Sequence, residues 1–347
     1  MKVSRMSALL LFLFVFVLSC CLNEDGGETL HLMSWNVQNL FDDVDDGTEY
    51  YEFDPSNGEW NNDLFNRKAA ALSEVISAAA AGGPDIVLLQ EVENENALKL
   101  LNDGYLKACN YSYAVFFPTQ DSAIGCGVLS RLPVLSVKNH AVNLRGKNSG
   151  RNIAEIDFGE GAGGFKVFLN HWKSKLGGPE ETEESRSASA GLLNSLIKKA
   201  AAESADLLII AAGDFNESHD EFNRVNHSYR TAIMPAAETG ETPSEETMYY
   251  VDSKAGMTAD SEIGLYNPWV DAEYEGSYFY NGTWETIDQF FLNAAAFDRE
   301  GLEYAGFRAA ALDFNTASDG SPLRWQSGTG AGCSDHFPVI LELEAVK

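Results

Sequence analysis

The chain has 347 residues, 45% of them hydrophobic, and sets 24 basic against 52 acidic side chains for a formal net charge of −28. That length and apolar content can build one large α/β domain or two small ones, which excludes a disordered or fibrous chain. The charge excludes a protein that holds nucleic acid by a generally basic surface, because its long-range field repels polyanions.

At the N-terminus, Lys2 and Arg5 precede eleven apolar residues, 8–18. That run suits a signal peptide and falls short of the roughly 20 residues a spanning helix needs. Val17-Leu18-Ser19-Cys20-Cys21 resembles a bacterial lipoprotein cleavage site. The expectation is a lipoprotein signal peptide over 1–19, a lipidated tether over 20–28 and a folded domain over 29–347. Cys20 is the expected lipidation site and Cys21 the alternative; an ordinary secretory signal or an uncleaved anchor stays open. The implied address is an exported cell-membrane or outer-membrane lipoprotein, periplasmic or surface-exposed. Loss of 1–19 leaves 22 basic against 52 acidic residues. Cys109, Cys126 and Cys333 are odd in number and form no CxxC, so no disulfide pairing is specified.

Along the body, 30–37 alternates as a first strand and runs into an acidic, turn-rich segment, 42–58. Residues 62–80 carry Phe65, Ala69, Leu72, Val75, Ile76 and Ala79 at helical spacing, stopped by Gly82-Gly83-Pro84. A buried strand over 85–90 is followed by a helix to about residue 107. Strands are predicted over 113–118, 125–130, 134–143, 152–158 and 165–171, then a helix over 183–202. Strands over 207–212, 284–292 and 337–344 complete the chain, with 236–247 an acidic surface loop. Roughly ten strands with few helices argue for sheets packed on each other and flanked by helices.

Polar residues recur where these strands end. Asn36 closes the first, and Glu91 follows the apolar run 86–89, placed as a hard-metal ligand or as an acid at a helix N-terminus. Asn170-His171-Trp172-Lys173-Ser174-Lys175 puts a histidine and two lysines after another strand. Gly213-Asp214-Phe215-Asn216 offers a carboxylate to polarise a water and an amide to donate to a developing oxyanion. Asp288 stands inside an apolar strand, where an acid needs a partner. His336, in Ser334-Asp335-His336-Phe337-Pro338, is the natural one, since a carboxylate fixes the imidazole tautomer and raises its basicity. Oxygen ligands with histidines and no zinc-type cysteines suit a hard cation and phosphate chemistry. Arg151, clustered with Arg145 and Lys147, is placed against substrate phosphate, whereas Arg131 reads as a structural turn residue. Tyr278, Tyr280 and Trp284 suit either core packing or stacking on a base or sugar.

These fragments, in this order, resemble the endonuclease/exonuclease/phosphatase superfamily, the fold of pancreatic-type deoxyribonuclease, over residues 30–344. The ending Asn39-Leu40-Phe41-Asp42, and His171-Trp172 followed by Gly177-Gly178 and Arg186, look like a bacterial exported branch. The resemblance implies a four-layer α/β sandwich, two packed, mostly antiparallel or mixed sheets flanked by helices. It implies Asn36, Glu91 and Asp335 around Mg²⁺, with Mn²⁺ or Ca²⁺ as substitutes. His171, Asp214, Asn216, Asp288 and His336 would be catalytic, with either Asp214 or His336 as the base, and Arg151 and Lys173 would bind substrate. Gln38 departs from the abasic-site endonucleases, which carry an acid there, and argues against that specificity. The expected activity is a monomeric phosphoesterase, a nuclease on extracellular DNA or RNA, touching the membrane through its lipid anchor only. Hydrolysis of a phospholipid head group and a catalytically silent binding lipoprotein are the alternatives.

Overall fold

The computed structural model describes residues 29–346 apart from 160–163, 205, 237–242, 255–256 and 258–263. The expected signal peptide and the whole tether, Cys20 included, lie outside the described residues, as does part of the acidic loop after 236. The chain runs β1 (Thr29–Leu40), α1 (Asn62–Ala79), β2 (Ile86–Val92), α2 (Glu95–Tyr105), β3 (Tyr113–Phe117) and β4 (Gly125–Ser130). It continues through β5 (Val134–Leu144), β6 (Lys147–Phe158), β7 (Phe165–His171), α3 (Glu183–Glu203), β8 (Leu208–Asp214), α4 (Glu221–Arg224) and β9 (Ile233–Pro235). The last elements are β10 (Met248–Val251), β11 (Leu265–Tyr266), β12 (Tyr278–Tyr280), β13 (Thr283–Glu285), β14 (Asp288–Leu292), β15 (Leu302–Ala309) and β16 (Val339–Ala345).

The strands form two mixed sheets, in the order β15-β16-β1-β2-β4-β3 and β5-β6-β7-β8-β14-β11-β10-β9, with β12 and β13 as a separate ribbon. Each large sheet holds a parallel pair in its middle, β1 with β2 and β7 with β8. A parallel pair needs a long crossover, and α1 and α3 supply them. An antiparallel strand flanks each pair, β16 beside β1 and β14 beside β8. The C-terminal ends of β1, β2, β7 and β8 and the N-terminal ends of β14 and β16 therefore gather at one edge of the molecule.

Pleat alternation sorts the side chains into layers. Leu32, Ile86 and Leu88 join Val167, Leu169, Ile210, Ala212 and Phe290 in a core between the sheets. Their neighbours Met33, Trp35, Val87 and Leu89 point the other way, against Phe65, Leu72 and Val75 of α1 and Leu98 of α2. On the far side, Phe168, Ile209, Ala211 and Phe291 pack on Ala190, Leu193 and Leu196 of α3. Burying a side chain such as Leu72 stabilises the fold by about 2 kcal/mol. The result is the expected four-layer sandwich. Asn61 and Asn94 start α1 and α2 by accepting from the backbone N–H of Leu64 (3.2 Å) and Ala97 (2.8 Å), which satisfies donors left over in the first turn.

The structure has more and shorter strands than the apolar runs suggested. The single strand expected over 284–292 divides into β13 and β14, and Asp288 is the first residue of β14 rather than an interior one. Cys109, Cys126 and Cys333 are all free and buried. Among the described residues no helix is long and apolar enough to cross a membrane.

Gly213 of β8 pairs with Asn170 of β7. Its φ is +137°, and a Cβ there would lie 2.0 Å from the Asn170 carbonyl oxygen. Gly213→Ala is expected to lower the unfolding free energy in urea titrations by more than about 2 kcal/mol. A loss under about 0.5 kcal/mol would show that the two strands separate freely at this point.

Candidate active site

Glu91 reaches the site through a fault in its strand. Simple alternation would send its side chain outward with Val87 and Leu89, into the helix layer. Instead Gln90 pairs with Cys126 and Val92 with the adjacent Gly125, so Glu91 is an extra residue in β2, and its φ is +66°. This β-bulge returns Val92 to the helix side and re-aims the Glu91 carboxylate. Glu91 Oε1 then accepts from Asn36 Nδ2 (3.2 Å), and Oε2 from the backbone N–H of Asn39 (3.0 Å). β1 is bulged opposite it, between Asn36 and Leu40, with Gln38 and Asn39 both at positive φ.

Asn36 bridges the two sheets. Its Nδ2 also donates to Asp214 Oδ2 (3.0 Å), while Oδ1 takes the backbone N–H of Gln38 (3.0 Å). His171 Nε2 lies 3.8 Å from Glu91 Oε1 and 3.7 Å from Asp214 Oδ2. Asn216, at φ +51°, donates from its backbone N–H to Asp214 Oδ1 (2.8 Å) and from Nδ2 to Asp214 Oδ2 (3.1 Å) and the Trp172 carbonyl (3.1 Å). Asp214 and Asp288 are cross-strand partners. Asp288 Oδ2 pairs with His336 Nδ1 at 2.8 Å, the second polar link between the sheets. Asn36, Glu91, His171, Asp214, Asn216, Asp288 and His336 are thus brought together.

The remaining expected residues line the rim. Arg151 donates from Nε to the Trp172 carbonyl (3.2 Å), and Arg151 and Lys173 both act electrostatically on His171. Asp335 holds Arg324 through Oδ2 (2.8 Å), and its Oδ1 is 3.9 Å from His336 Nε2. Arg131 is tied to Asp85 (3.1 Å) and the Cys109 carbonyl (2.7 Å), far along the opposite end of β2.

Charge states follow from burial and neighbours. Burial, and then the Asp288 charge, raise the Asp214 pKa well above the ordinary carboxylate range. Burial and Asp335 raise Glu91. Burial lowers His171 well below the usual imidazole value, helped by Arg151 and His336, so its ring is neutral at pH 7. Burial works the same way on His336, but Asp288, Asp335 and Asp214 overcome it and lift this histidine to about 10. At neutral pH, His336 is an imidazolium.

A hard divalent cation fits this donor set. Glu91 is held by hydrogen bonds to both oxygens in an acid-rich pocket, and buried carboxylates with raised pKa values mark a place short of positive charge. Asp214, Asp288 and His336 also offer ligand atoms within 4.8 Å of one another. Because His336 Nδ1 already pairs with Asp288, that trio is a charged hydrogen-bonded set, and Glu91 is the better seat for a cation.

Several supporting residues had no role assigned from the sequence. Ser277 Oγ donates to Asp288 Oδ2 (2.6 Å), and Ser334 Oγ donates to the Asn36 carbonyl (2.6 Å). A single serine next to glycine or cysteine gives no signal of either role. Lys68 is fully buried and donates to the carbonyls of Gln38 (3.1 Å) and Cys333 (2.6 Å), tying the β1 bulge to the segment that carries Asp335 and His336. Its signal was available, a cation on the apolar face of α1 between Phe65 and Leu72. Buried Arg186 bonds Glu217 (3.0 Å), Glu183 (2.6 Å) and the Lys173 carbonyl (3.4 Å), which joins the loops after β7 and β8.

Carboxylates, amides and histidines gathered at one end of a two-sheet sandwich define a metal-dependent phosphoric ester hydrolase. The model of the Endonuclease/Exonuclease/phosphatase family matches residues 31–345, and the chain belongs to that family. No curated protein matches it. Among solved structures, truncated Caenorhabditis elegans TDP2 superposes with a TM-score of 0.54 at 13% identity, covering 91% of this chain and 98% of that one. D. rerio TDP2 complexed with a single-strand DNA product gives 0.53 at 15%, with 91% and 99% covered. The human Nocturnin catalytic domain with bound sulfate gives 0.53 at 16%, with 91% and 95% covered.

The Asp288–His336 pair sets a pH dependence. Its folded pKa, about 10, exceeds the ordinary 6.5, so its stabilisation is complete below about pH 6.5 and is lost as pH rises through about 10. In chelator, the stability difference between wild type and Asp288→Asn should be largest near about pH 6 and shrink toward pH 10. A difference unchanged across that range would show that His336 is neutral in the folded protein.

Proposed function

We propose that the protein is an exported, Mg²⁺-dependent phosphodiesterase, anchored at the cell surface through Cys20, that hydrolyses extracellular nucleic acid. The observation that carries this reading is the convergence of Asn36, Glu91, His171 and Asp214 within 3.8 Å across the two sheets, beside an imidazolium at His336.

Glu91 would hold the cation with Asn36 and Asp335, Asn36 turning its amide oxygen inward; bound there, Mg²⁺ supplies positive charge to the phosphoryl oxygens. Asp214 takes the proton of the attacking water, and its raised basicity suits that task. His336, charged and oriented by Asp288, donates from Nε2 to a phosphoryl oxygen and is therefore not the base. His171 and the Asn216 amide meet the other oxygens as charge builds on phosphorus. Arg151 and Lys173 offset the acidic surface where the phosphate enters.

Support for a nucleotide substrate comes from the surroundings of His336. The Tyr278 ring lies 4.6 Å from its imidazole, and Tyr280 stacks 6.1 Å further out, half exposed. With Pro322, Arg324 and Asp335 these tyrosines line a groove of about 160 Å³, flat and aromatic enough to receive a base or sugar. D. rerio TDP2, bound to a single-strand DNA product, shows that a similar scaffold accepts DNA.

The test is a panel of plasmid DNA, RNA, sphingomyelin and bis-p-nitrophenyl phosphate, offered to a soluble fragment beginning at Leu22, with Mg²⁺ or EDTA. Nucleic acid should be the best substrate, EDTA should abolish turnover, and Asp214→Asn and His171→Ala should each cost about 10³-fold in kcat. A folded Asp214→Asn protein that retains wild-type turnover would remove the base assignment. Preference for sphingomyelin would move the reading to a phospholipid substrate.

A further inference from the structure

The acidic segment after β1 folds back onto the end of β2 and forms a second carboxylate cluster. Asp46, Glu49 and Glu93 each present an oxygen, and these oxygens lie within 4.8 Å of one another. Two ligands on opposite sides of a Ca²⁺ ion stand about 4.8 Å apart, twice a bond length of about 2.4 Å. Like charges this close repel, and among the described residues no lysine, arginine or histidine forms an ion pair with any of the three. Glu93 is the second observation. It is only 6% exposed, and its Oε1 is buried with no hydrogen-bond donor in reach. A buried carboxyl oxygen left without a donor is costly unless a proton or a cation meets it.

The rest of the segment is organised around this point. Glu93 Oε2 accepts from the backbone N–H of Asp42 (2.8 Å). Asp42 Oδ2 accepts from Asn94 (3.2 Å) and Asn96 (2.7 Å), and Trp60 Nε1 donates to the Asp42 carbonyl (2.7 Å). Glu49 holds the turn by accepting from the backbone N–H groups of Asp46 (2.5 Å) and Gly47 (2.8 Å). The cluster grades from exposed Asp46 to buried Glu93, so it is open to solvent on one side and closed on the other.

We infer that Asp46, Glu49 and Glu93 bind a structural divalent cation, Ca²⁺ by preference, at a site separate from the catalytic one. Carboxylates on a pliable loop, completed by water, suit the irregular oxygen shell of Ca²⁺ better than the strict octahedron of Mg²⁺. The ion clamps the loop after β1 to the strand that carries Glu91, two residues before Glu93.

Calorimetric titration of CaCl₂ into the metal-stripped full chain tests this. In a Glu91→Gln background, which weakens the catalytic seat, one Ca²⁺ should still bind. Adding Asp46→Asn and Glu49→Gln, on the exposed side of the cluster, should weaken that binding at least roughly tenfold. Equilibrium dialysis of the otherwise wild-type chain should show the same pair of substitutions removing one Ca²⁺ per chain. No binding by the Glu91→Gln chain into the millimolar range, or binding indifferent to Asp46 and Glu49, would overturn the site.

Discussion

Everything at the active end depends on polar contacts made across the seam between two sheets. Asn36 of one sheet meets Asp214 of the other at 3.0 Å, and His336 meets Asp288 at 2.8 Å. Deeper in, the same seam is filled by aliphatic and aromatic side chains that attract without direction. The apolar part sets how far apart the sheets stand, and that spacing lets short side chains reach across. A change in sheet separation of even 1 Å would break these hydrogen bonds, since a donor beyond about 3.5 Å no longer bonds.

Burying acids at that seam has electrostatic consequences. Asp288 Oδ2 pairs with His336 and accepts from Ser277, and its charge holds the His336 imidazole protonated. Asp214 lacks a comparable cation and becomes more basic instead. Two aspartates facing each other across one strand pair thereby acquire different chemistry from their partners alone. In a chain with a net charge of −28, the few cations near the site, Arg151, Lys173 and His336, stand where an anion must approach. Lys68 behind them, its pKa lowered to about 7 by burial, serves as a donor to two carbonyls.

Much of the fold was readable because strand and helix periods differ. The apolar spacing from Phe65 to Ala79 places α1 closely, and the runs at 86–89 and 207–212 place the two inner strands that carry Glu91 and Asp214. The short strands β9 to β13 were harder, because two to four residues are too few for alternation to stand out from loop composition. Lys68 was legible in principle, as a charge on an apolar helix face, whereas Ser277 and Ser334 were not. A serine's role depends on which acceptor lies opposite it, and those acceptors are 11 and 298 residues away.

The sequence by itself determined the chemistry available: strand-end carboxylates, amides and histidines in an order that names the family, with no cysteine arrangement to divert the reading. It could not determine how those groups face one another. The bulge that turns Glu91 from the helix layer into the cleft is a pairing mismatch with Cys126 and Gly125, which exists only once β4 has docked beside β2. Likewise the protonated state of His336 and the raised basicity of Asp214 arise from burial and from partners brought in by other strands. Residue type is local, but aim and charge state depend on what is packed alongside, and only the tertiary structure decides that.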